Sequence, residues 1–185
     1  PLAAGKKLAL FGNSAHDIII GGTGSGDVHE AYSVTLPQGL KHAGYATDKA
    51  LSQAYAEHIK AAKARRPETN PFLAPPPLPE LLPTVEQIDA AATANDVGLI
   101  TIGRNSGEFI DRKAKDDFYL TEAEQTLIRT VSAAFHKAGK PVVVVLNIGG
   151  VIEVASWRDQ VDAILLAWQP GQEAGHAMAD VLSGK

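Results

Sequence analysis

Short apolar runs alternate with amphipathic stretches along most of this chain, and the runs have the length of strands rather than helices. Residues 6–12 (KKLALFG) are stopped by Gly and Asn, residues 97–102 read VGLITI, residues 141–146 read PVVVVL and residues 162–167 read DAILLA. Runs of this kind fit strands buried on both faces, as in a parallel sheet. Tyr45 and Ala46 open a weaker strand.

Between the runs the spacing predicts helices. Residues 36–43 place Pro37 in a first turn and Gly44 at a stop. Residues 48–66 begin at a capping Asp48 and end in basic residues that oppose the helix dipole. Residues 84–95 and 121–138 each open on a capping box, Thr84 with Gln87 and Thr121 with Glu124. In the second of these, Leu127, Ile128, Val131 and Phe135 recur at helical spacing until Gly139. Further helices are expected around 151–157 and 172–182, whereas the glycine-rich stretch 13–30 reads as a long packed loop.

The alternation predicts an α/β fold, a three-layer sandwich with a mainly parallel sheet and helices on both faces. The loops 12–30, 103–117, 147–150 and 168–171 each follow a strand and should open on one edge, where such sheets bind ligands. Residues 67–83 interrupt the pattern, with seven of the eleven prolines in the chain. A proline cannot donate to a helix or a sheet, so this stretch is expected to be an excursion, an ordered arm or tether rather than a ligand for a proline-recognition module.

Composition narrows the function classes. At 185 residues and 45% hydrophobic, the chain can bury one sizeable core, and residues 1–185 read as a single domain. A net charge of -4 with dispersed Lys and Arg offers no field for nucleic acid. No window has the roughly 18 apolar residues of a membrane span, so a soluble chain is expected. Zero cysteines exclude disulfides, thiolate metal sites and a cysteine nucleophile, and leave cytoplasmic, periplasmic and secreted locations all compatible. A first residue that is Pro and a last helix without a clear stop at Ser183-Gly184-Lys185 suggest a piece of something longer.

Gly22-Thr23-Gly24-Ser25-Gly26 invites a phosphate-binding reading, but it begins ten positions after Gly12, and neither a helix start nor a P-loop lysine follows. A backbone-rich loop approaching an uncharged polar ligand fits better. The six histidines have no metal-ligand spacing, with His58 and His136 reading as ordinary helix positions and His176 lying near the Trp168 turn. Neither Ser25 nor Ser106 sits in the G-x-S-x-G context of a serine nucleophile. No metal and no cofactor are expected. Among the loop carboxylates, Glu108 is distinctive, because Ser106-Gly107 precede it and Phe109-Ile110 follow. Partial desolvation there would raise its pKa toward that of a general acid; the alternative is an ordinary solvated charge.

Residues 102–128 (IGRNSGEFIDRKAKDDFYLTEAEQTLI), 141–157 (PVVVVLNIGGVIEVASW) and 162–185 (DAILLAWQPGQEAGHAMADVLSGK) together resemble the C-terminal α/β-sandwich domain of glycoside hydrolase family 3, the β-glucosidase and β-xylosidase family. Residues 8–28 (LALFGNSAHDIIIGGTGSGDV) look like its opening strand and loop, and the resemblance covers nearly the whole chain outside the proline-rich excursion. It implies a fragment of a larger two- or three-domain glycosidase, in which an N-terminal TIM barrel supplies an aspartate nucleophile and this domain supplies the acid/base. Glu108 resembles that acid/base residue, and Ser25, with Gly24 beside it, resembles a residue lining the sugar subsite. Asp111 and Arg112 look like loop-holding partners of each other, and Trp168 like a wall of the strand-end face or a core residue.

The implied function is that of a retaining exo-acting β-glycosidase, most like a β-glucosidase acting on terminal β-D-glucosyl residues of a β-glucoside or oligosaccharide. The isolated segment would be inactive, since the Ser-Asp-Trp context of the nucleophile is absent. The alternative is a non-catalytic carbohydrate-binding or interaction module, and a flavodoxin-like nucleotide binder is a distant third.

Overall fold

The computed structural model describes residues 1–67, 75–108 and 111–185. Part of the proline-rich excursion and the apolar pair Phe109-Ile110 therefore lie outside the described residues. Five strands, β1 (Lys7–Phe11), β2 (Ala46–Thr47), β3 (Val97–Arg104), β4 (Val142–Ile148) and β5 (Ala163–Leu166), form one sheet in the order β2-β1-β3-β4-β5, and every pairing is parallel. The longest register runs from Gly98 opposite Val142 to Arg104 opposite Ile148.

Side chains on β4 alternate between two cores, as the pleat requires. Val142, Val144, Leu146 and Ile148 face α3 (Lys49–Ala64), α4 (Val85–Ala94) and α5 (Glu122–Lys137), through Tyr55, Ile88, Leu127, Val131 and Phe135. Val143 and Val145 face α2 (Leu36–His42) and α6 (Ala174–Ser183), through Leu36, Leu40, Met178 and Leu182. The expected three-layer arrangement is the one found, with all-parallel strands in the middle. β5 ends the sheet, so its apolar run is less buried than its composition suggests, with Ile164 37% and Leu166 45% exposed.

The caps read from the sequence are in place: the Asp48 side chain accepts from Leu51 N, and the boxes at Thr84 and Thr121 are complete. Three segments differ from expectation. The stretch 151–157 is not helical, because its backbone bonds elsewhere: Glu153 N donates to Phe118 O, and the Glu153 carboxylate accepts from both Ser156 N and Oγ at 2.7 Å. The stretch 13–30 contains one helical turn, α1 (Asn13–His16), and a short 3₁₀ turn at Gly24–Gly26. The last helix has a stop after all, at Gly184 in the left-handed region with φ 85°. Among the described residues, no helix is long and apolar enough to cross a membrane.

The excursion is an arm held by specific bonds. Asn13 Nδ2 donates to Pro79 O at 2.9 Å, His58 Nε2 lies 2.7 Å from the same oxygen, and Leu78 and Leu81 pack on the core.

Candidate active site

In the strand order β2-β1-β3, the connections leaving β1 and β3 depart to opposite faces, through α2 and α5. A crevice opens beyond the carboxyl ends at such a reversal, and it is the usual ligand position in open parallel sheets. The two stretches singled out in the sequence meet there. Thr23 N donates to Ser106 O at 2.9 Å, and Thr23 and Gly107 form an isolated parallel bridge. The loop after β1 is thereby laid against the turn after β3 that carries Glu108.

Gly24 touches Glu108 directly. A Cβ on Gly24 would lie 2.9 Å from both Cβ and Oε2 of Glu108, and Gly24 has φ +74°, a conformation costly for any other residue. Ser25 is the next residue and is exposed. Glu108 is also exposed, so the burial expected for it is not provided by the described residues.

The turn is braced from below. Arg104, at the end of β3 and only 8% exposed, forks onto the Glu124 carboxylate at 2.5 and 2.7 Å and donates from Nε to Asp117 O at 2.8 Å. Arg112 pairs with the Asp117 carboxylate and reaches Asn105 O at 3.3 Å, while Lys113 N donates to Asp117 Oδ2 at 2.9 Å. This corrects the expected pairing of Arg112 with Asp111, which is exposed. Asp117 is the residue that closes the loop, because the chain reverses at Asp116 with φ 58° and brings residue 117 back under residue 112.

Three further residues had no clear signal in the sequence. Asn147 is wholly buried and ties two strand-end loops together, accepting from Ile19 N and donating to Ile19 O and Trp168 O, each at 2.8 Å. Gln169 meets Ser106 and Asn105, with Ser106 Oγ donating to Gln169 Oε1 at 3.1 Å. Trp168 is a strand-end residue and not core, 46% exposed with φ 55°.

Besides Asn147 and Gln169, the residue without a clear sequence signal is Glu80 in the proline-rich arm, which accepts from Asn13 N at 3.1 and 3.2 Å and from Leu81 N at 3.0 Å. Burial, opposed by those backbone donors, pushes its pKa up to about 7. At the end of α1, His16 stacks on Tyr55 with ring centroids 5.1 Å apart, and burial lowers its pKa to about 4. Among the described residues, no group of three or more His, Cys, Asp or Glu side chains could hold a metal ion.

The fold is a doubly wound parallel sheet, with an exposed carboxylate and a glycine loop at its reversal point as the candidate site. The chain belongs to the Glycosyl hydrolase family 3 C-terminal domain family, whose model matches residues 1–185. It is 35% identical over 213 residues to β-glucosidase A of Butyrivibrio fibrisolvens, covering all of this chain and 24% of that protein. With the β-glucosidase of Ruminococcus albus the identity is 29% over 189 residues, covering all of this chain and 19% of that protein.

Among solved structures, β-glucosidase 3B of Thermotoga neapolitana in complex with α-D-glucose superposes with a TM-score of 0.93 at 46% identity, covering 100% of this chain and 26% of that one. A β-glucosidase from Paenibacillus barengoltzii gives 0.87 at 28% identity, covering 100% of this chain and 20% of that one. The chain thus spans about a fifth to a quarter of the length of these relatives.

Proposed function

We propose that this chain is the acid/base-supplying domain of a longer retaining β-glucosidase that removes terminal β-D-glucosyl residues, and that Glu108 is the acid/base. The observation that carries the reading is the contact of Glu108 with Gly24 at the β1/β3 reversal. A retaining glycosidase needs two carboxyls about 5–5.5 Å apart, one to attack the anomeric carbon and one to protonate the leaving oxygen and later activate water. Glu108 takes the second role and Ser25 lines the sugar subsite. The attacking aspartate comes from an N-terminal TIM barrel of the same polypeptide, whose docking over the strand ends supplies the desolvation that raises a carboxyl into the range of a general acid.

In the full polypeptide, Glu108→Ala should lower kcat/KM for cellobiose by about 10²–10⁴-fold, the usual worth of positioned proton transfer. The same variant should cleave a 2,4-dinitrophenyl β-glucoside nearly normally in the first step, because that leaving group departs without a proton, and azide should restore turnover of the trapped intermediate. Unchanged hydrolysis of cellobiose would overturn the assignment. A non-catalytic module would instead bind glucose or cellobiose at millimolar concentration or tighter as the isolated 185-residue chain, which calorimetric titration reads directly.

A further inference from the structure

We propose that Gln169 is a positioning residue for Glu108, acting through Ser106 and Asn105. The inference rests on the reading of Glu108 as the acid/base. Gln169 lies just past β5, on the loop opposite the glycine loop, and uses both ends of its amide. Oε1 accepts from Ser106 Oγ at 3.1 Å, and Nε2 donates to Asn105 Oδ1 at 3.2 Å. Asn105 Oδ1 also accepts from Ser106 N at 2.8 Å, so the three side chains close on the residue two positions before Glu108.

The bracket has a rigid base. The carbonyl of Trp168, the residue before Gln169, is held by Asn147, which is fully buried and also holds Ile19 on the other side of the crevice. That second loop continues to Thr23, which grips Ser106 O from its own N–H. Ser106 is therefore clamped through its carbonyl by one loop and through its hydroxyl by the other, and both loops return to one buried amide. The fit leaves no slack: a Cβ on Gly149 would fall 2.2 Å from Ser106 Oγ and 2.8 Å from Gln169 Nε2.

Glu108 itself is exposed, and its contact with Gly24 limits it on one side only. Its direction is set by the turn that carries it, and the turn is set by Ser106. A displacement of about 1 Å at a catalytic group can cost on the order of 100-fold in rate. Loss of the bracket should therefore be felt at proton transfer rather than at sugar binding.

The test uses the full polypeptide and compares Gln169→Ala with the parent on two substrates. Gln169→Ala should lower kcat/KM for cellobiose by about 10–100-fold, mostly in kcat, and leave kcat/KM for a 2,4-dinitrophenyl β-glucoside within about threefold. Ser106→Ala should reproduce this split, and the double variant should be no worse than either single one, because both remove the same link. Equal losses on both substrates, or no loss on cellobiose from either variant, would overturn the positioning role. If Gln169→Ala does not accumulate as folded protein, Ser106→Ala decides on the same two readouts. Glu108→Ala run in parallel separates the failures: a split there without one at Gln169 and Ser106 rejects this inference alone, whereas its absence at Glu108 rejects both readings.

Discussion

At the scale of single residues, burial acts on Glu80, the carboxyl that holds the turn after β1. The folded chain holds the Glu80 proton to about pH 7, above its ordinary value of 4.5, so its contribution to stability falls as pH rises through that interval. His16 works in the opposite direction. Its pKa drops from 6.5 to about 4, so it adds stability as pH rises between those values. The two trends offset each other in the parent, and a difference measurement separates them. The stability of Glu80→Gln relative to the parent should rise by on the order of 1–2 kcal/mol between pH 5 and pH 8, after allowance for the residual solvent exposure of the carboxyl. Urea unfolding of the 185-residue chain at the two values reads this, and a constant difference would show that Glu80 does not titrate in that range. Gln keeps one accepting oxygen for Asn13 N, so the anchor of α1 is weakened rather than removed.

At the scale of elements, α5 is joined to β3 by more than apolar packing. Glu124 completes the capping box with Thr121 and also neutralises Arg104. One carboxylate therefore fixes both the start of α5 and the end of the strand that leads into the Glu108 turn. Glu124→Ala removes the cap bond and leaves a buried guanidinium without its charge partner. The expected cost is about 3–5 kcal/mol. Thr121→Ala, which touches the cap alone, should cost about 1 kcal/mol. Chemical denaturation that gave equal values for the two would mean that the Arg104 pair adds nothing beyond capping. The arm at 75–83 has a similar role on the other side, because Pro79 O and Glu80 hold the turn after β1 from which the glycine loop departs.

At the scale of the molecule, the proposed function gives this chain one member of the carboxyl pair that a retaining glycosidase uses. The 185-residue chain should therefore melt cooperatively yet show no hydrolysis of an aryl β-glucoside above the buffer rate. Turnover with retention of configuration would require a nucleophile within these residues and would refute the proposed division of labour. At the strand-end face, Glu108, Ser25 and Trp168 are exposed on loops held by Asn147, Asp117 and Thr23.

The sequence by itself determined the strands, the capped helices and the parallel three-layer arrangement. Each of these depends on interactions between residues close in the chain or on a simple repeat of apolar positions. The length of the runs implied strands buried on both faces, and short side chains with glycines marked the loops. What only the tertiary structure decided was which partner each polar group takes. Arg112 turned to Asp117 because of a left-handed reversal at Asp116, and residues 151–157 gave up a helix because Glu153 found Ser156 and Phe118. Glu80, Asn147 and Gln169 became important because residues 67, 128 and 63 positions away arrived beside them. A side chain that can bond to several partners chooses by proximity after folding, and no local pattern records that choice.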